Sequence, residues 1–169
     1  RFGIPPALID FNALHKADLN KYNVIIMADG APSVPVSEKV YPMLKDWVND
    51  GGVLILTGSS YQLASKIGVA NYKKLPLLQG KKDNTPYKPY SSPASVANNV
   101  DGIILKCNID TTSPLGYGYI SSDVAVMKNS TIAFDVEETK GKFPMYYEKE
   151  PYLSGCISDA AVKRFAYTP

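Results

Sequence analysis

The feature that most constrains the fold is a short apolar run followed by a glycine- and serine-rich turn, within residues 46–68. The apolar run, VLIL, predicts a parallel strand that is buried on both faces of a sheet. Gly58 allows the chain to turn sharply after this strand, and either Ser59 or Ser60 can cap the helix that follows. The sequence therefore predicts a strand-to-helix corner at residues 57–60, where several classes of α/β enzyme hold a nucleophile.

A second strand precedes the corner in the chain and is predicted to end beside it. Residues 24–28 (VIIMA) predict another buried strand, which Asp29 and Gly30 terminate. The helix between the two strands is predicted at residues 37–49, with the serine at its first position as N-cap. Because the carboxyl ends of parallel strands meet at one rim of an open sheet, Asp29, Gly30 and the corner are predicted to lie together.

The remaining segments indicate further strands, one more helix and a long loop. Strands are predicted at residues 4–11, 102–109, 123–127, 131–136, 145–147 and 153–157. Residues 123–127 and 131–136 are predicted to form a β-hairpin, and residues 158–165 a short helix. A long surface loop, rich in Lys, Pro, Ser, Tyr and Asn, is predicted at residues 71–100. The length suits one domain over residues 1–169.

Charge and hydropathy argue against two classes of partner. Eighteen basic and sixteen acidic residues give a net charge of +2, which offers no electrostatic basis for binding nucleic acid or an anionic membrane. No apolar run in the sequence approaches the roughly 20 residues that a membrane-spanning helix needs. We therefore predict neither a nucleic-acid partner nor a membrane span.

Histidine and cysteine usage predicts no metal site. His15 is the only histidine, and it is predicted to lie on the surface of a polar helical turn. One histidine cannot form a histidine-rich zinc site, and neither Cys107 nor Cys156 has the spacing of a metal ligand. Both cysteines are predicted to lie in strands, either as two buried thiols or as one disulfide.

Four stretches of the sequence carry a resemblance to a known family. They are VIIMADG (24–30), LKDWVNDGGVLI (44–55), DTTSPLGYGY (110–119) and LSG (153–155). With them the chain resembles the class I glutamine amidotransferase-like domain that follows the peptidase domain in secreted bacterial zinc carboxypeptidase-like proteins, notably those of Bacteroidetes. The DTTSPLGYGY stretch is the more specific part, and members of the family usually carry a histidine where this chain has Ser113.

The resemblance implies a three-layer α/β fold with a flavodoxin-like, mainly parallel sheet and an added β-hairpin. It also implies that this chain is an incomplete copy of the domain, with a strand and a helix before Arg1 and a glycine-rich strand and a helix after Pro169. The parent protein, of which the chain would be one domain, would be periplasmic or extracellular. Its zinc would lie in the peptidase domain, so no cofactor is expected in this chain.

The same resemblance bears on catalysis at the corner. Class I glutamine amidotransferases carry a cysteine there, with a histidine and a glutamate further along the chain. Aligning Gln62 with the glutamine that follows their nucleophile places Gly58 at the cysteine position, and a shift of one residue places Ser59 there. Neither residue supplies a thiolate, and no histidine follows His15. Amide hydrolysis needs an activated nucleophile and a base within reach, so we expect no glutaminase activity.

The leading hypothesis is a non-catalytic accessory domain that packs against the peptidase domain or holds peptide or glycan near it. The candidate ligand-binding residues form a pocket at the rim of the sheet: Asp29, Gly30, Gly58, Ser59, Ser60, Thr112 and Tyr117. Structural roles are the alternative for the same residues. In that case Asp29 and the serines cap strand and helix ends, and Thr112 and Tyr117 pack in the core or in a turn.

Two other functions are compatible with the sequence. The first is a serine-dependent hydrolase that uses Ser59 or Ser60 with a carboxylate such as Asp29 or Asp110. The second is a glycan- or peptide-binding module built on the tyrosines of residues 71–119. Labelling of a serine by a fluorophosphonate would support the first, and binding to a glycan would support the second.

Overall fold

The computed structural model describes residue 3 and residues 5–30, 37–79, 97–139 and 141–169. The chain separates into two compact units, Arg1–Asn71 and Tyr72–Pro169. Each unit has its own cluster of buried apolar side chains. The chain is a mixed α/β protein, with a parallel pair of strands in the first unit and an antiparallel sheet in the second.

The first unit contains the predicted strand-to-helix corner. Its strands and helices are β1 (Val24–Met27), α1 (Val40–Asn49), β2 (Val53–Leu56) and α2 (Gln62–Lys66). The two strands pair in parallel and in register over their whole length. A 3-10 turn over Gly58–Tyr61 joins β2 to α2. Both strands and their parallel arrangement agree with the sequence prediction.

Only one face of this strand pair is covered by the core. Met27, Leu54 and Leu56 pack in the same apolar cluster as Leu44 and Trp47 of α1. The side chains of the opposite face are apolar but exposed, namely Val24, Ile26, Val53 and Ile55. The prediction that these strands are buried on both faces is therefore wrong, because side chains alternate across a strand and those of the second face lie in solvent.

Helix α1 begins later than predicted. Its N-cap is Lys39, which makes no side-chain capping bond, whereas Ser37 contacts the helix through its carbonyl, which accepts from the Val40 amide at 2.9 Å. The predicted N-cap role of Ser37 is therefore wrong. Beyond the other end of the helix, a Cβ at Gly52 would lie 2.6 Å from Cε3 of Trp47. The close approach of this ring to the backbone therefore requires a glycine.

The N-terminal segment forms a 3-10 helix in place of the predicted strand at 4–11. This helix spans Phe11–Lys16, the described residues before it have no regular structure, and Ile4 lies outside the described residues. Asp10 caps the helix by accepting from the Asn12 amide at 2.7 Å. The side-chain cap, and the two prolines that cannot donate to a strand ladder, favour this arrangement over a strand.

The second unit is a three-stranded antiparallel sheet with an associated helix. Its strands and helix are β3 (Ile103–Ile109), β4 (Asp123–Lys128), β5 (Met145–Ser154) and α3 (Asp159–Phe165). The strand order is β4-β3-β5, and α3 contacts β5. Ser158 caps α3 by accepting from the Ala161 amide at 3.2 Å, and the predicted short helix is confirmed.

The inward face of β3 supplies the centre of this unit. Alternate residues of β3 are buried, which places Ile103, Leu105 and Cys107 on the same face. Ile103 and Leu105 pack in one cluster with Val100 and with Phe165 of α3. The strand predicted at 102–109 is therefore confirmed.

Two strand predictions in the second unit are wrong. Residues 131–136 do not form a hairpin with β4, because they form no strand and Phe134 makes an isolated antiparallel bridge with Lys74 instead. The predicted strands at 145–147 and 153–157 are not separate, because a single strand, β5, covers most of this region. Pro151 lies inside β5, where the pairing with β3 is irregular, and such irregularities are where a sheet accommodates a proline.

The two cysteines are free thiols in different environments. Cys107 is buried in β3, as predicted, whereas Cys156 is exposed beyond the end of β5. Burial raises the pKa of the Cys107 thiol to about 11. Of the two predicted alternatives, the disulfide is not formed, and the buried thiol is found for Cys107 but not for Cys156.

The central part of the loop predicted at 71–100 lies outside the described residues, which exclude 80–96. The described ends of this segment are joined through the side-chain amide of Asn98. This amide donates to the Leu78 carbonyl at 2.8 Å and accepts from the Leu78 amide at 2.9 Å. The two ends are therefore held side by side.

The sheet arrangement differs from the three-layer, mainly parallel one that the sequence predicts. Among the described residues, parallel pairing is confined to β1 and β2, and the three strands of the second unit are antiparallel. The result is a mixed α/β protein without a clear flavodoxin-like order of layers.

Candidate functional site

The corner of the first unit turns at Gly58. This residue has a φ of +55°, in the left-handed region, directly between β2 and the 3-10 turn that leads to α2. A nucleophile elbow has the same strand–turn–helix arrangement and holds its nucleophile on the strained residue of the turn. Of the two residues that the resemblance aligns with the nucleophile, Gly58 and Ser59, only Gly58 has this left-handed backbone conformation.

The space beside Gly58 is occupied by the side chain of Asp29. A Cβ at position 58 would lie 2.7 Å from Oδ1 of Asp29, so a side chain there would require Asp29 to move. Asp29 follows β1 and reaches the corner because β1 and β2 are parallel and end together. The corner therefore has a carboxylate where an elbow has its nucleophilic side chain.

Asp29 is held at the corner by Ser59. The Ser59 amide donates to Oδ1 of Asp29 at 2.7 Å, and the Ser59 hydroxyl donates to the same oxygen. The Gly30 amide donates to Oγ of Ser59 at 3.1 Å, so this hydroxyl is both a donor and an acceptor. The hydrogen bonds from the Ser59 hydroxyl and amide lower the pKa of the Asp29 carboxyl below its ordinary value. Asp29 is therefore an anion at neutral pH.

Ser60 has a structural role at the same corner. Its side chain is fully buried, and its Oγ lies 2.6 Å from the carbonyl oxygen of Thr57 and 3.1 Å from that of Met27. The Thr57 hydroxyl donates to the same Met27 carbonyl at 3.2 Å. These contacts connect the turn to the end of β1 and keep the Ser60 hydroxyl away from solvent.

The structure brings together the five candidate residues of the first unit, namely Asp29, Gly30, Gly58, Ser59 and Ser60. Their predicted proximity is confirmed. The contacts of Asp29, Ser59 and Ser60 are also those expected from the alternative interpretation, in which these side chains cap and stabilise the turn. Ligand binding by this group stays a prediction.

The two remaining candidates, Thr112 and Tyr117, belong to the second unit. The Thr112 hydroxyl and amide donate to Oδ1 of Asp110 at 2.6 Å and 2.9 Å, and they lower the pKa of this carboxyl. Thr112 therefore stabilises a turn, in agreement with its structural interpretation. Tyr117 is exposed to solvent rather than packed in a core.

Among the described residues, the side chain of Ser59 makes its hydrogen bonds with Asp29 and Gly30, and neither of these is a histidine. A carboxylate whose pKa is lowered is a poor general base, although the Ser59 hydroxyl donates to it. His15 is exposed on the 3-10 helix Phe11–Lys16, as predicted, and no hydrogen bond among the described residues joins it to the corner. The described part of the corner therefore offers hydrogen-bond acceptors and one negative charge.

A half-buried lysine of the second unit, Lys128, was not predicted from the sequence. Nζ of Lys128 lies 4.8 Å from the ring centre of Phe165 and 5.4 Å from that of Tyr147. It also donates to the Ile132 carbonyl at 2.8 Å. Burial, together with the nearby Arg164, lowers the pKa of Lys128 to about 8. The sequence gives no signal for this environment, because a lysine at the end of a strand is usually exposed.

The described parts of the two units contain neither a cluster of metal ligands nor a membrane-spanning helix. Within these residues, no group of three or more His, Cys, Asp and Glu side chains is placed to hold a metal ion. The same part of the chain contains no helix that is long and apolar enough to cross a membrane.

Comparisons with known proteins assign no family. The chain matches no protein-family model, no curated protein and no solved structure. The resemblance to amidotransferase-like domains therefore rests on the four sequence stretches that carry it.

Proposed function

We propose that this chain is a non-catalytic, amidotransferase-like accessory domain of a secreted zinc carboxypeptidase-like protein. Its role is to pack against the peptidase domain or to hold a peptide or glycan near it. The zinc and the proteolytic activity belong to the peptidase domain, and this chain contributes no cofactor. In this proposal the parent protein is periplasmic or extracellular, and the parallel strand pair is part of a flavodoxin-like sheet.

One observation carries the non-catalytic part of the proposal. In a nucleophile elbow, the amide of the residue after the nucleophile stabilises the oxyanion of the intermediate. The residue after Gly58 is Ser59, and its amide already donates to the Asp29 carboxylate at 2.7 Å. Because a charge held at this amide repels a second negative charge, the corner is unsuited to an oxyanion while Asp29 is ionised.

The backbone conformation of the corner supports the accessory part of the proposal. The corner keeps the backbone of an elbow, and the contacts of Asp29 and Ser60 hold that backbone in place without a reactive group at Gly58. Such a corner provides a rigid surface rather than a reaction centre. In the family that the chain resembles, this domain follows a peptidase domain. The peptidase domain is therefore the expected partner.

The test compares the parent protein with a version that lacks this chain. Release of C-terminal residues from a peptide library and the melting temperature are measured for both proteins. Loss of some substrates by a shortened protein that stays folded would support a substrate-holding role, and a joint fall in activity and stability would support a structural role. Unchanged activity and unchanged melting temperature would contradict the accessory role.

A serine-dependent hydrolase is the alternative, and the hydrogen bond between the Ser59 hydroxyl and Asp29 favours it. Ser59 is half-buried whereas Ser60 is fully buried, so this alternative requires Ser59 as its nucleophile. It predicts fluorophosphonate labelling that is lost in Ser59→Ala and retained in Ser121→Ala, which changes an exposed serine. Folded protein that shows no labelling would exclude the alternative.

A further inference from the structure

A segment of the second unit carries four exposed, large apolar side chains within six residues. The exposed fractions are 77% for Leu115, 69% for Tyr117, 50% for Tyr119 and 105% for Ile120. A single exposed apolar residue is ordinary on a protein surface, whereas four such residues within six consecutive positions make this segment a candidate interaction site. All four lie in residues 111–122, which we refer to as the apolar loop.

The backbone of the apolar loop is fixed by hydrogen bonds. Its base is closed by the Ile109 amide, which donates to the Ser122 carbonyl at 2.8 Å. Within the loop, the Gly116 amide donates to the Ser113 carbonyl at 2.8 Å, and the Tyr119 amide donates to the Gly116 carbonyl at 3.2 Å. The apolar side chains are therefore presented by an ordered backbone, which reduces the entropy lost when a partner binds.

Gly116 fixes the shape of the apolar loop through a close approach. It is buried, and a Cβ at this position would overlap the carbonyl oxygen of Asp110, a backbone atom that cannot rotate away. Its neighbours Leu115 and Tyr117 are both exposed. The loop is therefore anchored by a glycine backbone while its large side chains lie in solvent.

The composition of the apolar loop is typical of protein-recognition loops. Its sequence, TTSPLGYGYISS, contains two tyrosines, three serines and two glycines, and it contains no charged residue. Tyrosine supplies a large, rigid contact area at low entropic cost, and serine and glycine supply adaptable hydrogen bonding. The lack of Lys and Arg in this stretch argues against an anionic lipid surface, which attracts basic segments.

The charged residues that flank the apolar loop in sequence are acidic. Asp110 precedes the loop, and its carboxylate accepts from the neutral donors of Thr112. Asp123 follows the loop and shares Lys106 with Glu148, at Nζ–carboxylate distances of 3.0 Å and 3.1 Å. Two carboxylates on one amine leave this group with a net negative charge. A partner surface with basic residues around an apolar centre would complement this arrangement.

We propose that the apolar loop is a docking site for a folded protein surface that combines an apolar depression with basic residues at its rim. This inference rests on the proposed function, under which that surface belongs to the peptidase domain of the same protein. The apolar side chains enter the depression, and the flanking carboxylates face the basic rim. Tyr117 supplies most of the binding energy, because tyrosine is enriched among the residues that dominate protein interfaces, and the exposed Leu115 beside it adds apolar area.

The test is a calorimetric titration of this chain with the peptidase domain, for the wild type and for the double variant Leu115→Ser, Tyr117→Ser. We expect the double variant to bind at least about 10-fold more weakly. Met127→Ser is the control, because Met127 on β4 is also exposed, at 75%, but lies outside the apolar loop. Melting temperatures near that of the wild type establish that the variants are folded.

A second pair of variants tests the charge of the partner surface. Ile120→Lys places a cation, and Ile120→Glu an anion, at a fully exposed position of the apolar loop. A basic rim predicts that the lysine variant binds more weakly than the glutamate variant, and that added salt reduces the difference. Equal affinities for the two variants would overturn the assignment of a basic rim.

Three further outcomes would overturn the inference, and they separate its failure from that of the proposed function. If the wild-type chain does not bind the peptidase domain, this inference and the packing role both fail, and only the substrate-holding role of the proposed function stands. If the double variant binds as tightly as the wild type, the apolar loop is not the docking site while the accessory role stands. If Tyr117→Ser abolishes binding in a glycan screen but not binding to the peptidase domain, the loop is a sugar-binding site instead.

Discussion

The carboxylate of Asp29 largely sets the chemistry of the corner. It accepts from the Ser59 amide, and it occupies the space beside Gly58 in which a nucleophilic side chain would lie. The two roles reinforce each other, because the hydrogen bonds that hold Asp29 also favour its charged form. The same side chain therefore stabilises the turn and opposes acyl-transfer chemistry.

Asp29→Ala should lower the melting temperature of the first unit by a few degrees, since it removes the acceptor of the Ser59 amide and hydroxyl. Thermal unfolding followed by the fluorescence of Trp47, the only tryptophan, measures this change. Asp46→Ala is the control, because it removes an exposed carboxylate from α1 of the same unit. If Asp29→Ala lowers the melting temperature no more than Asp46→Ala does, a capping role for Asp29 would be contradicted.

The pH dependence of this effect follows from the lowered pKa of Asp29. A carboxyl whose pKa is lower in the folded chain contributes its stability above the unfolded value of 3.8 and loses it as the pH falls through the folded value. The difference in melting temperature between the wild type and Asp29→Ala should therefore be constant near neutral pH and should shrink below about pH 4. A difference that persists unchanged in acid would mean that the charge of Asp29 is not responsible.

Lys128 should make the stability of the second unit rise with pH. Its pKa of about 8 lies below the ordinary 10.5, so the folded unit favours the neutral amine. Between these values the unfolded chain binds a proton that the folded chain does not, and folding becomes more favourable as the pH increases. Cys107 acts in the opposite direction between its ordinary pKa of 9.0 and its folded pKa of about 11. The informative range is therefore pH 8 to 9.

Lys128→Met removes the titrating group and keeps a long, flexible side chain. At pH 7 the variant should be more stable than the wild type by about 1 kcal/mol. It removes a half-buried charge, and the attraction of this charge to two rings and its hydrogen bond to the Ile132 carbonyl offset only part of the cost of desolvation. Its stability should not rise between pH 8 and pH 9. Thermal melts followed by far-UV circular dichroism test this, and parallel pH curves for the two proteins would show that Lys128 does not titrate in this range.

At the scale of residues, the sequence predicts that the corner residues lie together, but it does not predict the half-buried position of Lys128. Asp29 and Gly58 each follow an apolar run, and residues that follow parallel strands meet at one rim of the sheet. The burial of Lys128 depends instead on Tyr147 and Phe165, which come from a strand and a helix later in the chain. A pattern along β4 alone does not contain that information.

Among the elements, the sequence predicts continuous apolar runs well and pairing partners poorly. β1, β2 and β3 lie within one residue of their predicted bounds. β4 is also present, but its partner is β3 rather than residues 131–136. Neighbouring segments usually pair, so a hairpin is the expected arrangement, and the choice of β3 depends on how the sheet packs.

Helix α3 is connected to the rest of the second unit by Arg164. The guanidinium donates to three backbone carbonyls, those of Leu75 at 2.8 Å, Pro76 at 2.8 Å and Thr131 at 2.6 Å. One side chain therefore joins the helix to two separate segments of the chain. The planar guanidinium of arginine has N–H donors that point in several directions, so it can make these contacts at the same time. The single amine of lysine cannot reproduce this geometry.

Arg164→Lys should lower the free energy of unfolding of the second unit by about 2 kcal/mol, because carbonyls that accept from the guanidinium lose their donors. Lys163→Ala is the matched control, since Lys163 is the preceding, exposed residue of α3, and its effect should stay within about 0.5 kcal/mol. Urea unfolding followed by far-UV circular dichroism measures both. Equal stability of the two variants would contradict the connecting role of Arg164.

At the scale of the whole molecule, each unit has its own buried cluster, and this leads us to expect two unfolding transitions. Trp47 lies in the first cluster, so its fluorescence should report the first unit alone. Arg164→Lys should therefore shift the transition seen by circular dichroism and leave the Trp47 transition unchanged. Transitions that coincide, and that shift together in this variant, would support the single domain predicted for residues 1–169.

For the whole chain, the sequence predicts the fold class but not the order of layers. Short apolar runs and turns predict strands, and apolar residues at helical spacing predict helices. The structure confirms a mixed α/β protein. How many strands join one sheet depends on contacts between distant segments, which local patterns do not specify. The described parallel sheet accordingly has two strands, and an antiparallel sheet forms where a hairpin and separate strands were predicted.

The contact between Gly58 and Asp29 also limits the order in which this sequence can change. A cysteine at position 58 would collide with Asp29, and Asp29→Gly alone would leave the Ser59 amide without its acceptor. Each substitution is therefore unfavourable without the other, and a reactive corner would need both together with a base. A series of variants that introduces one substitution at a time therefore has no favourable first step at this position.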